Sequence, residues 1–243
     1  MLPILYQSHD LVIYSYPLLM GIAWGVAYQI YFNTPVIVTH FKSSQFLFWG
    51  LFIASWIGAK ILFYWTSSHD QNLLSQISFW TGGGLVFYGG FLASLMFLFF
   101  YKMIFREFSW ERLNPLLPAL AIGHGIGRIG CFLAGCCYGR PTKMIWGVFL
   151  HGHFRHPTQL LEAVGLLGLG YFLLKLKDQT SSLLLAFYFI IYSFLRMFIE
   201  ALRGDEIRGS WMGYSPSQWI SITLILVGVG LLFLNKSNRL KSP

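Results

Sequence analysis

The chain has 243 residues, 56% of them hydrophobic and only 11% charged, with 17 Lys and Arg against 9 Asp and Glu. A soluble domain carries about 25% charged residues, so a soluble globular enzyme is excluded; 23 Phe, 13 Tyr and 9 Trp exclude intrinsic disorder. An integral membrane protein is the class that remains. Its net charge of +8 reads as membrane topology and phospholipid contact, with no nucleic acid as partner.

Residues 1–10 contain no Lys or Arg, and no small-residue cleavage pattern follows the first apolar run, so no cleavable signal peptide is expected. Seven apolar stretches come next in chain order, at 11–32, 46–65, 79–101, 116–137, 159–176, 183–202 and 219–234. Each is long enough to cross a hydrocarbon core about 30 Å thick at 1.5 Å per residue. The predicted fold is therefore an all-α membrane protein of about seven transmembrane helices. We read residues 1–243 as one polytopic domain without internal repeats.

Orientation follows from the basic residues between the spans. With the N-terminus outside, the cytoplasmic segments hold Lys42, Lys102, Arg106, Arg112, Lys175, Lys177, Lys236, Arg239 and Lys241. The outer segments hold Arg140, Lys143, Arg155, Arg203 and Arg208. The larger inner set predicts the N-terminus outside and the C-terminus in the cytoplasm, with a small extracytoplasmic loop region. The five outer charges then need a reason of their own.

An ionisable side chain near the bilayer centre costs roughly 2.5–3.5 kcal/mol on insertion scales, so each is a functional candidate. Lys60, His124, Arg128, Glu162, Arg196, Glu200 and Arg203 make up that set. Arg196, Glu200 and Arg203 stand at i, i+4 and i+7 and share a helical face. Glu200 cannot neutralise both Arg, so the surplus positive charge must meet Glu162 or a bound anion. His124 and Arg128 are again four apart, within the glycine-dense run GHGIGRIGCFLAGCCYGRP; a second such run, TGGGLVFYGG, occupies 81–90. Small residues in membrane helices ordinarily serve close packing. Packing, however, needs no guanidinium, whereas Arg stays charged when desolvated and binds phosphate bidentately. The simplest composite is a cavity open to the membrane that holds a phospholipid phosphate.

Cys131, Cys136 and Cys137, with His151, His153 and His156, supply possible metal ligands. The spacing Cys-x4-Cys-Cys matches no recognised metal pattern, so no metal and no cofactor is assigned. The three cysteines read as small apolar residues of a packed helix.

The motifs GRIGCFLAGCCYGRP, RHPTQLLE and RMFIEALRGDEIRG with YSPSQW together resemble the prolipoprotein diacylglyceryl transferases over nearly the whole chain. The resemblance implies a multi-pass enzyme of the bacterial inner (cytoplasmic) membrane with seven spanning helices. Such an enzyme moves the diacylglyceryl group of phosphatidylglycerol onto the lipobox Cys thiol of a prelipoprotein signal peptide. The family's essential signature Arg falls on Arg128 and its second essential Arg on Arg203, with Arg196, Glu200 and Lys60 as supporting charges. Gly130, Gly139, Arg140, His156, Gln159 and Glu162 match further motif positions, and Tyr16 matches a first-helix Tyr. These, with Gly89 and Gly90, are the residues expected to hold the lipid. Two positions depart from the family pattern: Cys131 replaces the signature Asn, and Tyr88 replaces a third-helix His ahead of Gly89 and Gly90.

Transfer requires a thiolate to attack the glyceryl carbon that bears the phosphate ester, so the guanidinium pair would stabilise charge on the leaving phosphate. The acceptor thiol, with a pKa near 8.5, must lose its proton. Tyr88, His124 and His156 are the candidate bases, and the positive field alone is a fourth route. A lipid transporter or scramblase that binds anionic lipid without chemistry is the rival class, and a relative with another thiol acceptor is a second alternative. The lack of an inverted repeat argues against the commonest transporter designs.

Overall fold

The computed structural model of the chain describes residues 2–8, 12–67, 86–106, 108–176, 179–204 and 212–241. Strands β1 (Ile4–Gln7) and β2 (Val12–Tyr14) form an antiparallel hairpin. Helix α1 (Ser15–Phe32) follows, then a short α2 (Pro35–Val38) and the long α3 (Phe41–Ser67). Helix α4 (Phe87–Ile104) precedes a 3-10 turn at Trp110–Leu113 and α5 (Leu116–Ala134). A second hairpin, β3 (Val148–Leu150) with β4 (His153–Arg155), leads into α6 (Thr158–Lys175), α7 (Ser181–Leu202) and α8 (Pro216–Lys241).

Among the described residues, four stretches, Phe41–Trp65, Trp110–Ala134, Ser181–Leu202 and Pro216–Lys236, are long and apolar enough to cross a membrane, and Gly89–Ile104 is a shorter apolar helix. Helices α1 and α6 have 18 residues each, about 27 Å at 1.5 Å per residue, close to the hydrocarbon thickness. Large apolar side chains stand exposed along α6, α7 and α8, among them Val164, Phe194, Leu226 and Phe233. A contiguous apolar exterior of this kind is stable when lipid covers it. The chain is a helical multi-pass membrane protein.

Several element boundaries differ from the sequence expectation, each for a local reason. The first span begins at Ser15 rather than 11, because Val12–Tyr14 pairs with β1 and the Ser15 amide donates to the Pro3 carbonyl at 3.0 Å. The fourth span ends at Ala134 rather than 137. Gly135 takes the left-handed conformation at φ 79° and caps the helix there, as glycine does readily for want of a Cβ. Cys136 and Cys137 therefore lie in the connection beyond α5. Residues 79–85 of the third expected span lie outside the described residues. The two hairpins are additions to the all-helical expectation; their strands of three and four residues are too short for alternation to reveal.

The chain groups into two compact units, Met1–Tyr31 with Leu113–Pro243, and Phe32–Arg112. In the first, α5 packs on α6, α6 on α7 and α7 on α8. Ala121, Leu169, Leu173, Leu184 and Tyr188 form a buried apolar cluster among α5, α6 and α7. In the second, α3 and α4 pack as an antiparallel pair that requires glycine at the contact. A Cβ at Gly90 would come within 2.7 Å of the Ser55 carbonyl oxygen, and one at Gly89 would collide with the Gly58 carbonyl. Tyr101 ties the far end of the pair, its hydroxyl donating to the Ser43 carbonyl at 2.9 Å and its ring 4.5 Å from that of Phe105.

Candidate active site

The site lies in the first unit and begins with three guanidinium groups, one on α5, one on α7 and one just past the end of α7. Arg128 on α5 donates from Nη2 to Oε1 of Glu162 on α6 at 3.1 Å, and its Nε is 3.0 Å from Oε2. This two-point contact matches the fork of the guanidinium to both carboxylate oxygens. The Glu162 side chain is 1% exposed. A buried carboxylate that meets Arg128 with both oxygens orients that Arg. On α7 Arg196 donates from Nη2 to Glu200 at 2.6 Å and to the Ser217 hydroxyl of α8 at 3.1 Å. Its Nη1 is buried with no hydrogen-bond partner among the described residues. Arg203 is the first residue past α7 and is buried.

These charges converge. Glu162, Arg128, Arg196 and Arg203 all act electrostatically on the phenol of Tyr192, which sits one turn before Arg196 on α7. The imidazole of His124 stands 5.7 Å from the Tyr192 ring, centroid to centroid, within the field of Arg128 and Arg196. Tyr192 escaped the sequence reading, although the spacing Tyr188, Tyr192, Arg196, Glu200 marks one continuous helical face. Tyr16 on α1 joins from the other side, in the field of Arg128. A Cβ at Gly130 would come within 3.3 Å of the Tyr16 ring, so this glycine lets α1 close on α5.

The connection after α5 is tied to the end of α7. Gly139 bridges Arg203 in antiparallel fashion, and the Arg140 amide donates to the Leu202 carbonyl at 2.9 Å. The Arg140 guanidinium donates from Nε to the Arg203 carbonyl at 3.0 Å and from Nη2 to the Ala201 carbonyl at 2.5 Å. It thus straps the chain that carries Arg203 rather than presenting a bare charge. Gly139 is confined: a Cβ would lie 2.6 Å from the His156 carbonyl oxygen and 2.9 Å from that of Leu202. Gln159 and Thr158, at the start of α6, donate to the Cys136 and Cys137 carbonyls at 2.6 and 2.9 Å. His156 accepts from Trp146 Nε1 at its Nδ1, at 3.3 Å.

The remaining sequence candidates belong to the second unit. Gly89 and Gly90 meet the α3 backbone, as described above, which is the packing role of small residues. Lys60 is wholly buried on α3 and does not snorkel to an exposed surface. The backbone of Tyr88 lies in the first turn of α4; its side chain lies outside the described residues.

The chain matches the family model for prolipoprotein diacylglyceryl transferase over residues 3–234. A protein of Clostridium tetani named phosphatidylglycerol–prolipoprotein diacylglyceryl transferase is 36% identical over 65% of this chain and 67% of its own length. A second transferase of that name from Clostridium perfringens is 32% identical over 96% of this chain and 95% of its own. One from Finegoldia magna is 29% identical over 96% and 94%.

Proposed function

The chain belongs to the prolipoprotein diacylglyceryl transferase family, and from that premise we propose that it transfers the diacylglyceryl group of phosphatidylglycerol to the lipobox Cys thiol of prelipoproteins, in the bacterial inner membrane. The observation that carries this reading is a cluster of buried guanidinium groups with an unmet donor among the described residues. Among the described residues, the guanidinium groups of Arg128, Arg196 and Arg203 gather with the carboxylates of Glu162 and Glu200. Arg196 Nη1 is buried without a hydrogen-bond partner among the described residues and still has a hydrogen to donate. A phosphodiester supplies both the negative charge and the acceptor oxygens.

The acceptor thiolate attacks the glyceryl carbon bonded to the phosphate oxygen. A carbon–sulfur bond forms, the carbon–oxygen bond breaks, and the electron pair leaves with glycerol phosphate; the thiol proton goes to a base or to solvent. Negative charge grows on the leaving phosphate as the bond lengthens. Guanidinium groups already fixed by Glu162, Glu200 and the Arg140 strap stabilise it without reorganising. Part of their attraction acts equally on bound lipid, which lowers KM rather than the barrier.

The test is a transfer assay with purified protein in detergent, using phosphatidylglycerol labelled in its acyl chains and a lipobox peptide. Wild type labels the peptide and leaves a Cys→Ser peptide blank. R128A and R203A should each lose roughly 10²–10³ in rate. No label from a folded protein that still binds phosphatidylglycerol would refute the transferase in favour of lipid handling without chemistry.

A further inference from the structure

Cys131, Cys136 and Cys137 have no role in the transfer step proposed above, yet the fold gathers them. Their three Sγ atoms lie within 4.8 Å of one another. Cys131 is buried at the end of α5, Cys137 is half-buried and Cys136 is exposed, so the cluster runs from the helix end to the surface. Its backbone is fixed from several directions. Gly135 turns the chain at φ 79° and Cys137 itself is left-handed at φ 62°, a conformation that costs an L-residue roughly 1–2 kcal/mol. The contacts that hold it there are the Gln159 amide on the Cys136 carbonyl, the Thr158 hydroxyl on the Cys137 carbonyl, and His151 Nε2, 2.7 Å from the Gly135 carbonyl. Contacts of this kind, one layer out from the sulfurs, orient the ligands of metal sites.

We propose that these three cysteines form a thiolate site for a single soft, monovalent d10 cation, Cu(I). Thiolate sulfur selects soft cations. Three sulfurs around one ion at roughly 2.3 Å stand about 4 Å apart, so small side-chain rotations close the cluster. Zinc takes four ligands in structural sites, and no His, Asp or Glu joins this group among the described residues. The imidazole of His151 has its Nε2 committed to the Gly135 carbonyl. Binding releases the three thiol protons to solvent and leaves a net negative cluster. Arg128 and Arg203 both act electrostatically on Cys137 and offset that charge. Occupancy would also withhold the chain's own nucleophilic sulfurs from the donor lipid; only this consequence rests on the transferase reading.

The test uses the full chain, purified in detergent under nitrogen with the thiols reduced, loaded with Cu(I) and then challenged with a Cu(I) chelator. Metal is counted by plasma emission spectrometry and the thiols by titration. Wild type should retain one copper per chain, and C131A, C136A and C137A should each lose it while keeping the wild-type circular dichroism. C136A is the decisive variant, because its side chain is exposed and its truncation leaves no cavity. The proposal is overturned if wild type surrenders all copper to the chelator, if C136A retains it, or if Zn(II) displaces it when both are offered. Isolation of the protein with two of the three thiols already joined as a disulfide would overturn it as well. None of these readouts depends on transferase activity.

Discussion

Glu162 shows how one side chain decides the fate of another. Removing one partner of a buried ion pair leaves the other charge unpaired, a loss of about 3–5 kcal/mol. E162A should therefore unfold at a markedly lower temperature in detergent and lose transfer activity together with stability. The double variant R128L/E162L separates the two effects: replacing both charges by apolar side chains should recover most of the thermal midpoint and none of the activity. If the double variant stays as unstable as E162A, the pair is not what holds α5 to α6. His124 allows a second residue-scale test. As the base for the acceptor thiol, it would leave H124A with little activity at pH 7 and partial recovery near pH 9, where more of the thiol ionises unaided. Full activity of H124A at pH 7 removes it from that role.

At the scale of the element, the decisive feature is where α5 stops. Gly135 ends it in the left-handed conformation, and the connection then passes Cys136, Cys137 and Gly139 before Arg140 straps the end of α7. A Cβ at 135 should cost roughly 1–2 kcal/mol, so G135A should lower the thermal midpoint and slow transfer by displacing Arg140. G135N should be milder, because Asn tolerates this conformation better than Ala does. Equal losses in the two variants would mean that the space at residue 135 matters, not its φ. Helix α7 carries the complementary lesson. Its charged face follows from a period of 3.6, so Arg196 and Glu200 pair within one helix, and only the link from Arg196 to Ser217 needs α8.

For the whole molecule the bilayer is the organising constraint. Exposed apolar side chains along α6, α7 and α8 leave lipid as the only favourable surround, and the backbone of each span satisfies itself as helix. The excess of Lys and Arg in one set of connections predicts a cytoplasmic C-terminus. A C-terminal fusion to green fluorescent protein should fluoresce, and the same fusion to alkaline phosphatase should be inactive. The reverse pattern would invert the assignment and move the Arg140–Arg203 region to the inner face.

The sequence by itself determined the membrane class, the approximate spans, the faces of α5 and α7 and the family, because composition, hydropathy and helical period are local properties. It also marked Arg128, Glu162, Arg196, Glu200 and Arg203, because a charge inside an apolar run is conspicuous wherever the chain goes next. The tertiary structure decided which partner each charge takes. Glu162 closes on Arg128 from another helix, and Arg140, a phosphate ligand on sequence grounds, spends two of its nitrogens on the α7 terminus. The tertiary structure likewise brought three cysteines, unremarkable as Cys-x4-Cys-Cys, within reach of one ion. Within a helix, spacing fixes neighbours through 3.6 residues per turn. Across a left-handed turn and between helices no such period exists, and the contacts depend on how the whole chain packs.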